Sequence, residues 1–308
     1  ESILKKKKDK SIFYHPALRA PLLIKGGELK GWLSWDSPIL TKVQSWRLIK
    51  SPPANAFTNM AVDEAIFVKV AAGKSLPTLR FYTWNPPAVS VGYFQDSFTD
   101  IDISACRKMG IDVVRRLTGG RAVLHDKELT YSVICPEGDP LFPDNILGTY
   151  KLISSCLVKG LNSLGIDASL APSVKSRVKK SPSACFISPS HYEITVSGNK
   201  LVGSAQRRGD GAFIQHGSIL MEFDRDKLEM LLPTSGRLDG ITSISEHLQI
   251  SLREFIPSLI SGFEELLGIT FSEGSLSDEE VALSKRYVEE RYSRYDWNFR
   301  RPSLPSNP

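Results

Sequence analysis

The four cysteines, Cys106, Cys135, Cys156 and Cys185, are the strongest potential nucleophiles in this 308-residue chain. A thiol attacks as its thiolate, and a polar, cationic surround favours that form. Cys185 alone has such a surround, a serine- and proline-rich stretch that carries Lys175, Arg177, Lys179 and Lys180. This setting predicts a nucleophile for covalent catalysis. Cys106 falls on a predicted helix, Cys135 on an apolar strand and Cys156 on the apolar side of a helix, so these three read as packing residues. There is no Cys-x-x-Cys pair and no Cys/His spacing of the zinc type, and no metal site is expected.

Two further constellations accompany the thiol. Arg115-Arg116-Leu117-Thr118-Gly119-Gly120-Arg121-Ala122-Val123-Leu124-His125-Asp126 places two glycines between strand-like runs. Backbone N–H groups at such a turn can hold an oxygen of an acyl or phosphate group. On turn chemistry alone, an ordinary Gly-containing hairpin with charged flanks is the stronger reading. Downstream of Cys185 come His191, Lys200, Gly203-Ser204-Ala205 and His216-Gly217-Ser218. Lys200 opens a strand directly after a turn, where its amine could polarise a carbonyl or steer a proton. A surface turn lysine is the commoner fate of that residue type. The residues alone favour structural roles for His191 and His216.

The elements that must position these groups alternate irregularly. Residues 46–50, 78–84, 88–93, 111–116, 121–124, 129–135, 192–196, 200–205, 212–214 and 217–223 read as strands. Residues 57–72, capped by Asn55, and 102–109, 145–164, 225–232, 251–267 and 277–292 read as helices. Strands crowd the middle and helices the C-terminal part, which predicts an α+β domain: a mostly antiparallel mixed sheet with packed helices. Residues 171–190 read as a long loop. Residues 1–45 are irregular and form an N-terminal extension without an assigned role.

Composition excludes several classes. The net charge is +5, and the lysine-rich first ten residues supply +3 of it, so the body carries no nucleic-acid footprint. No stretch approaches the roughly 18 apolar residues of a membrane span. Few scattered thiols suit a reducing compartment, the cytoplasm, or an organelle if Glu1 marks a processed start. Gly73-Lys74-Ser75 mimics a P-loop ending, but Val68 stands where a glycine is required.

The segments together resemble the superfamily of lipoate-protein ligases, octanoyltransferases and biotin-protein ligases. The likeness runs over residues 46–300. It includes Asn59-Met60-Ala61-Val62-Asp63-Glu64-Ala65, Arg80-Phe81-Tyr82-Thr83-Trp84-Asn85-Pro86, the Arg115–Asp126 segment, Cys185-Phe186, Tyr192-Glu193, Lys200–Gln206 and Gln215–Leu220. Tyr295-Asp296-Trp297-Asn298 is similar as well. It is nearest to the octanoyltransferases that use a cysteine ahead of a lysine-bearing hairpin. The resemblance implies the biotin/lipoate ligase catalytic-domain fold and a two-step reaction without a cofactor. Octanoyl-acyl carrier protein donates to Cys185, and a lysine of a lipoyl-carrier protein, such as glycine cleavage H protein or a lipoyl domain, then accepts. Cys185 and Lys200 are the implied catalytic residues. Arg115, Arg116, Thr118, Gly119, Gly120, Arg121, Ala122, His125, Gly203, Ser204, Ala205, His216 and Gly217 are the implied substrate contacts, in a monomer. Ligases commonly carry a glycine where Arg121 stands and lack a cysteine matching Cys185, which favours transfer over ATP-dependent ligation. An amidotransferase between carrier proteins and a non-catalytic lipoyl-binding subunit are the remaining alternatives.

Overall fold

The computed structural model describes residues 44–171, 192–233 and 240–300. Its backbone is an eight-stranded mixed sheet with helices on both faces and a three-stranded sheet beside it. The strands are β1 (Ser45–Lys50), β2 (Thr78–Tyr82), β3 (Ala88–Val91), β4 (Asp112–Arg115), β5 (Val123–His125), β6 (Glu128–Pro136), β7 (Ala168–Leu170), β8 (Ile194–Val196), β9 (Asn199–Gly209), β10 (Ala212–Leu220) and β11 (Thr270–Glu273). The large sheet runs β11-β1-β2-β6-β10-β9-β8-β7, and the small one β4-β3-β5. Pairing is parallel for β1 with β11 and with β2, and antiparallel along the rest of the large sheet.

The helices are α1 (Ala56–Ala71), α2 (Ser97–Asp100), α3 (Ile103–Lys108), α4 (Ile146–Ser163), α5 (Arg225–Leu231), α6 (Leu252–Leu267), α7 (Asp278–Tyr287) and α8 (Tyr295–Phe299), with a π-helical turn at Val288–Tyr292. α4 and α6 cover one face of the large sheet over a core that includes Trp46, Tyr131, Phe213, Phe255 and Phe263. These two helices pack unusually close: a Cβ on Gly262 would lie 2.3 Å from the Cys156 carbonyl oxygen. α1 covers the other face, where Ile66 and Val70 meet Ile134 and Ile214. Its N-cap is Asn55, whose side chain accepts the Thr58 N–H at 2.9 Å.

The mostly antiparallel sheet with packed helices agrees with the α+β expectation. Some boundaries differ. Residues 212–220 form one strand, because the polar Gln215 and His216 sit inside a ladder whose nine residues are all buried. The helix expected over 277–292 becomes π-helical at 288. Cys106, Cys135 and Cys156 are buried free thiols. Burial pushes all three thiols up, Cys106 to about 11 with help from Asp102. They are packing residues, not nucleophiles.

Candidate active site

The site begins with a buried ion pair. Arg80 on β2 donates to Asp63 Oδ1 on α1 at 2.7 Å, and both side chains are almost fully buried. Such a pair persists when its other donors and acceptors are also used. Arg80 also binds the Asn59 carbonyl and side-chain oxygens and Ser51, and lies over the Tyr82 ring. The Tyr82 hydroxyl donates to Asp63 Oδ2 at 2.9 Å. Burial works to raise the Asp63 carboxyl, but Arg80 and His216 outweigh it and hold the group below its ordinary value. The His216 ring is pulled below its ordinary value, chiefly by burial against the opposing pull of Asp63. The neutral imidazole is therefore the favoured form.

Two arms of hydrogen bonds then converge on Arg116, just beyond the end of β4. Arg116 Nε donates to Thr118 Oγ1 at 3.2 Å, and that hydroxyl lies 2.6 Å from His216 Nε2. Arg116 Nη1 donates to Ser90 Oγ at 3.0 Å, and that hydroxyl lies 2.8 Å from His125 Nε2. His216 Nδ1 faces Asp63 Oδ2 at 3.6 Å, and His125 Nδ1 faces Glu128 Oε1 at 3.3 Å. A carboxylate beside Nδ1 favours a proton there, which leaves Nε2 to accept from the hydroxyl. The Asp63–His216–Thr118 chain has the connectivity of a nucleophilic triad. However, the Thr118 hydroxyl is fully buried and bonded to Arg116, so the chain orients groups and does not attack.

Arg116, His125 and His216 face a partly open cavity. Met60, Trp84 and Val123 supply apolar wall, and Gly203, Ser204, Ala205 and Gly217 leave room along β9 and β10. The Trp84 ring stacks on His125 at 4.0 Å and donates its N–H to Thr130. Arg116 also holds the diglycine loop, donating to the carbonyls of Gly119 and Arg121 at 2.7 Å each. Gly92 packs directly beneath that loop: a Cβ there would come within 2.0 Å of the Gly120 carbonyl oxygen.

A bulge aims Lys200. β8 pairs Ile194 with Val202 but Thr195 with Lys200, so Leu201 is an extra residue. Leu201 and Val202 both enter the core beneath α4 and α6. Alternation then carries Lys200 to the opposite face, the face of Ala205 and His216. Lys200 is 3% exposed, and its Nζ donates to Glu193 Oε1 at 2.6 Å. A solvated turn lysine is thereby excluded.

Of the residues singled out from sequence, Arg116, His125, Gly203, Ser204, Ala205, His216 and Gly217 line one cavity. Thr118, Gly119, Gly120 and Arg121 adjoin it through Arg116 and Gly92. Ala122 packs into the core of the small sheet. Arg115 does not line the cavity; it turns toward α8. Cys185 and His191 lie outside the described residues. Sequence reasoning about the site missed Asp63, Arg80, Trp84, Ser90, Thr130 and Glu193. One signal for Asp63 was available: Asn59 and Asp63 are four apart, a polar pair on one side of a helix whose buried residues are mostly apolar.

The family model for the lipoyl protein ligase A/B catalytic domain matches residues 55–264. The chain belongs to this family. Within the lipoyl ligase A/B family, similar curated proteins include octanoyltransferase LipM of Brevibacillus brevis, 43% identical over 84% of this chain and all of its own length. Octanoyltransferase LipM of Staphylococcus aureus is 39% identical over 84% of this chain and 99% of its own. Among solved structures, lipoate-protein ligase A bound with ATP superposes with a TM-score of 0.75 at 28% identity, covering 84% of this chain and all of that one. A chain from the structural analysis of the Thermoplasma acidophilum lipoylation system, a bi-partite lipoate protein ligase and its E2 lipoyl domain, gives 0.71 at 26%, covering 85% and 98%. No helix among the described residues is long and apolar enough to cross a membrane.

Proposed function

We propose that this acyltransferase moves an octanoyl group from acyl carrier protein to a lysine of a lipoyl-carrier protein, through a thioester on Cys185. The observation that carries the reading is the pocket with an apolar wall and an Arg116/His216 polar end, in a chain 38–43% identical to octanoyltransferases. Removing an eight-carbon chain from water is worth on the order of 5–6 kcal/mol.

In the first half-reaction the Cys185 thiolate attacks the carbonyl carbon of the octanoyl thioester. The carrier thiolate leaves and takes up a proton. In the second, the acceptor lysine, as a free amine, attacks the acyl-Cys185 carbonyl, its nitrogen gives up a proton to solvent as the amide forms, and the Cys185 thiolate is released. Each tetrahedral intermediate carries an oxyanion, for which backbone N–H groups near Gly119-Gly120 and Gly203-Ser204 are the assigned donors. Lys200, paired with Glu193, is assigned to the acyl carbonyl and to proton transfer. The assigned setting is the cytoplasm.

The likeness to an ATP-bound ligase favours a second reading, ATP-dependent attachment of free lipoate. One experiment separates them. The full chain is mixed with octanoyl-carrier protein without ATP and its intact mass is measured. The expected result is a gain of one octanoyl group, absent in Cys185→Ser. No gain without ATP, together with ATP-dependent modification of a carrier protein by free lipoate, would replace transfer with ligation.

A further inference from the structure

Trp297 and Asn298 make four hydrogen bonds to one residue of the distant strand β4, Arg115. The Asn298 side-chain oxygen accepts the Arg115 backbone N–H at 2.9 Å, and the Trp297 indole N–H donates to the Arg115 carbonyl at 2.9 Å. β4 is an edge strand of the small sheet. Two side chains of α8 therefore close the backbone groups that a further strand would otherwise pair. The arrangement is fixed from both ends. The Asn298 side-chain N–H donates to the Tyr292 carbonyl at 2.7 Å, and the Trp297 and Asn298 carbonyls accept from the Arg115 guanidinium.

The guanidinium continues inward. It donates to the carbonyls of Gly92, Tyr93 and Gln95, at 2.8, 2.9 and 2.8 Å. The Tyr93 N–H in turn donates to the Thr118 carbonyl at 2.9 Å, and Gly92 is the residue wedged beneath Gly120. A continuous path thus runs from Asn298 through Arg115 and the 92–97 turn to the 118–121 loop.

We infer that Asn298 is a positioning residue for acyl transfer: by closing the β4 edge and seating Arg115, it fixes the diglycine loop against the acyl carbonyl. The catalytic half of this inference rests on the proposed octanoyl transfer; the structural half does not.

Asn298→Ala in the full chain tests it, with Trp297→Phe as the milder variant should the first fail to fold. Glu280→Gln is the control, because Glu280 anchors α7 to Arg47 and Ser75 away from this path. Two readouts are taken while circular dichroism reports a folded protein. Amide hydrogen exchange at 115–121 should quicken about tenfold, the scale of one lost hydrogen bond, with the amides of β6 and β10 unchanged. The kcat for transfer from octanoyl-carrier protein should fall about tenfold, with KM for that donor within twofold of wild type. The control should change neither. Unchanged exchange at 115–121, an unchanged kcat, quickening that spreads over β6 and β10, or the same changes in the control would each overturn the inference. If the wild-type chain transfers no octanoyl group, the proposed function fails by itself, and the exchange pattern alone decides whether Asn298 positions the loop.

Discussion

Arg115 and Arg116 are neighbours in the chain, both almost fully buried, and they serve opposite ends of the same loop system. Arg115 faces α8 and spends its guanidinium largely on backbone carbonyls. Arg116 faces the cavity and divides its guanidinium among the Ser90 carbonyl, two carbonyls of its own loop and two hydroxyls that lead to histidines. The first arrangement holds backbone in place, and the second presents chemistry to a ligand. Strand alternation produces the split: consecutive side chains leave a strand on opposite faces, so one dipeptide supplies both support and site.

Arg115→Ala tests the supporting side and carries the largest expected effect. Several buried carbonyls would lose a charged donor at once, at about 1–3 kcal/mol each where they stay unsatisfied. The expected loss is at least about 3 kcal/mol of unfolding free energy in denaturant titration. A loss below about 1 kcal/mol would mean that Arg115 is not the support described. Arg116→Lys tests the ligand side. A lysine keeps the charge but has no planar fork to reach two hydroxyls and three carbonyls. Transfer should slow roughly 10²–10³-fold, the scale of losing a preorganised donor. Single-turnover acylation at wild-type rate would remove Arg116 from the site.

The pairing of these roles was only partly legible in the sequence. Asn55, α1 and the glycine pair were readable because caps, helical spacing and turns are local signals. The division of labour between Arg115 and Arg116 was not, because it depends on α8, about 180 residues away in the chain. β11 escaped for the same reason: four residues that bury little became a strand only by pairing with β1. The Leu201 bulge was hidden because a one-residue shift in pairing leaves no mark in composition, yet it decides which face Lys200 occupies. Asp63 and Arg80 are charged residues of a kind usually exposed, and only their mutual burial reveals them.

Acid titration probes the His216 arm. The folded chain holds His216 below its ordinary value of 6.5, while the unfolded chain takes up a proton near that value. As pH falls below about 6.5 the unfolded state binds more protons, so the stability tied to neutral His216 is present above that pH and is lost as pH drops through the folded value. Asp63 adds a second loss at lower pH, because its folded value lies below 3.8 and its contribution disappears only as the carboxylate is protonated. Melting temperature should therefore fall more steeply between about pH 6.5 and 5 in wild type than in His216→Gln. Equal slopes would show that His216 does not titrate in this way.

The smallest expected effects test whether the two arms are one unit. Ser90→Ala removes the hydroxyl between Arg116 and His125, and Thr118→Val removes its counterpart before His216. Each deletes a buried, charge-assisted bond, and each should cost about 1–2 kcal/mol of stability. The arms share only the Arg116 guanidinium. If Arg116 is held by both hydroxyls, losing one lets it shift and weakens the other, so the second deletion costs less than it does alone. The double variant should then fall short of the sum by more than about 0.5 kcal/mol in a double-mutant cycle. Additivity within about 0.3 kcal/mol would mean that the carbonyls of Ser90, Gly119 and Arg121 fix Arg116 without the hydroxyls, and that the histidine arms are independent attachments.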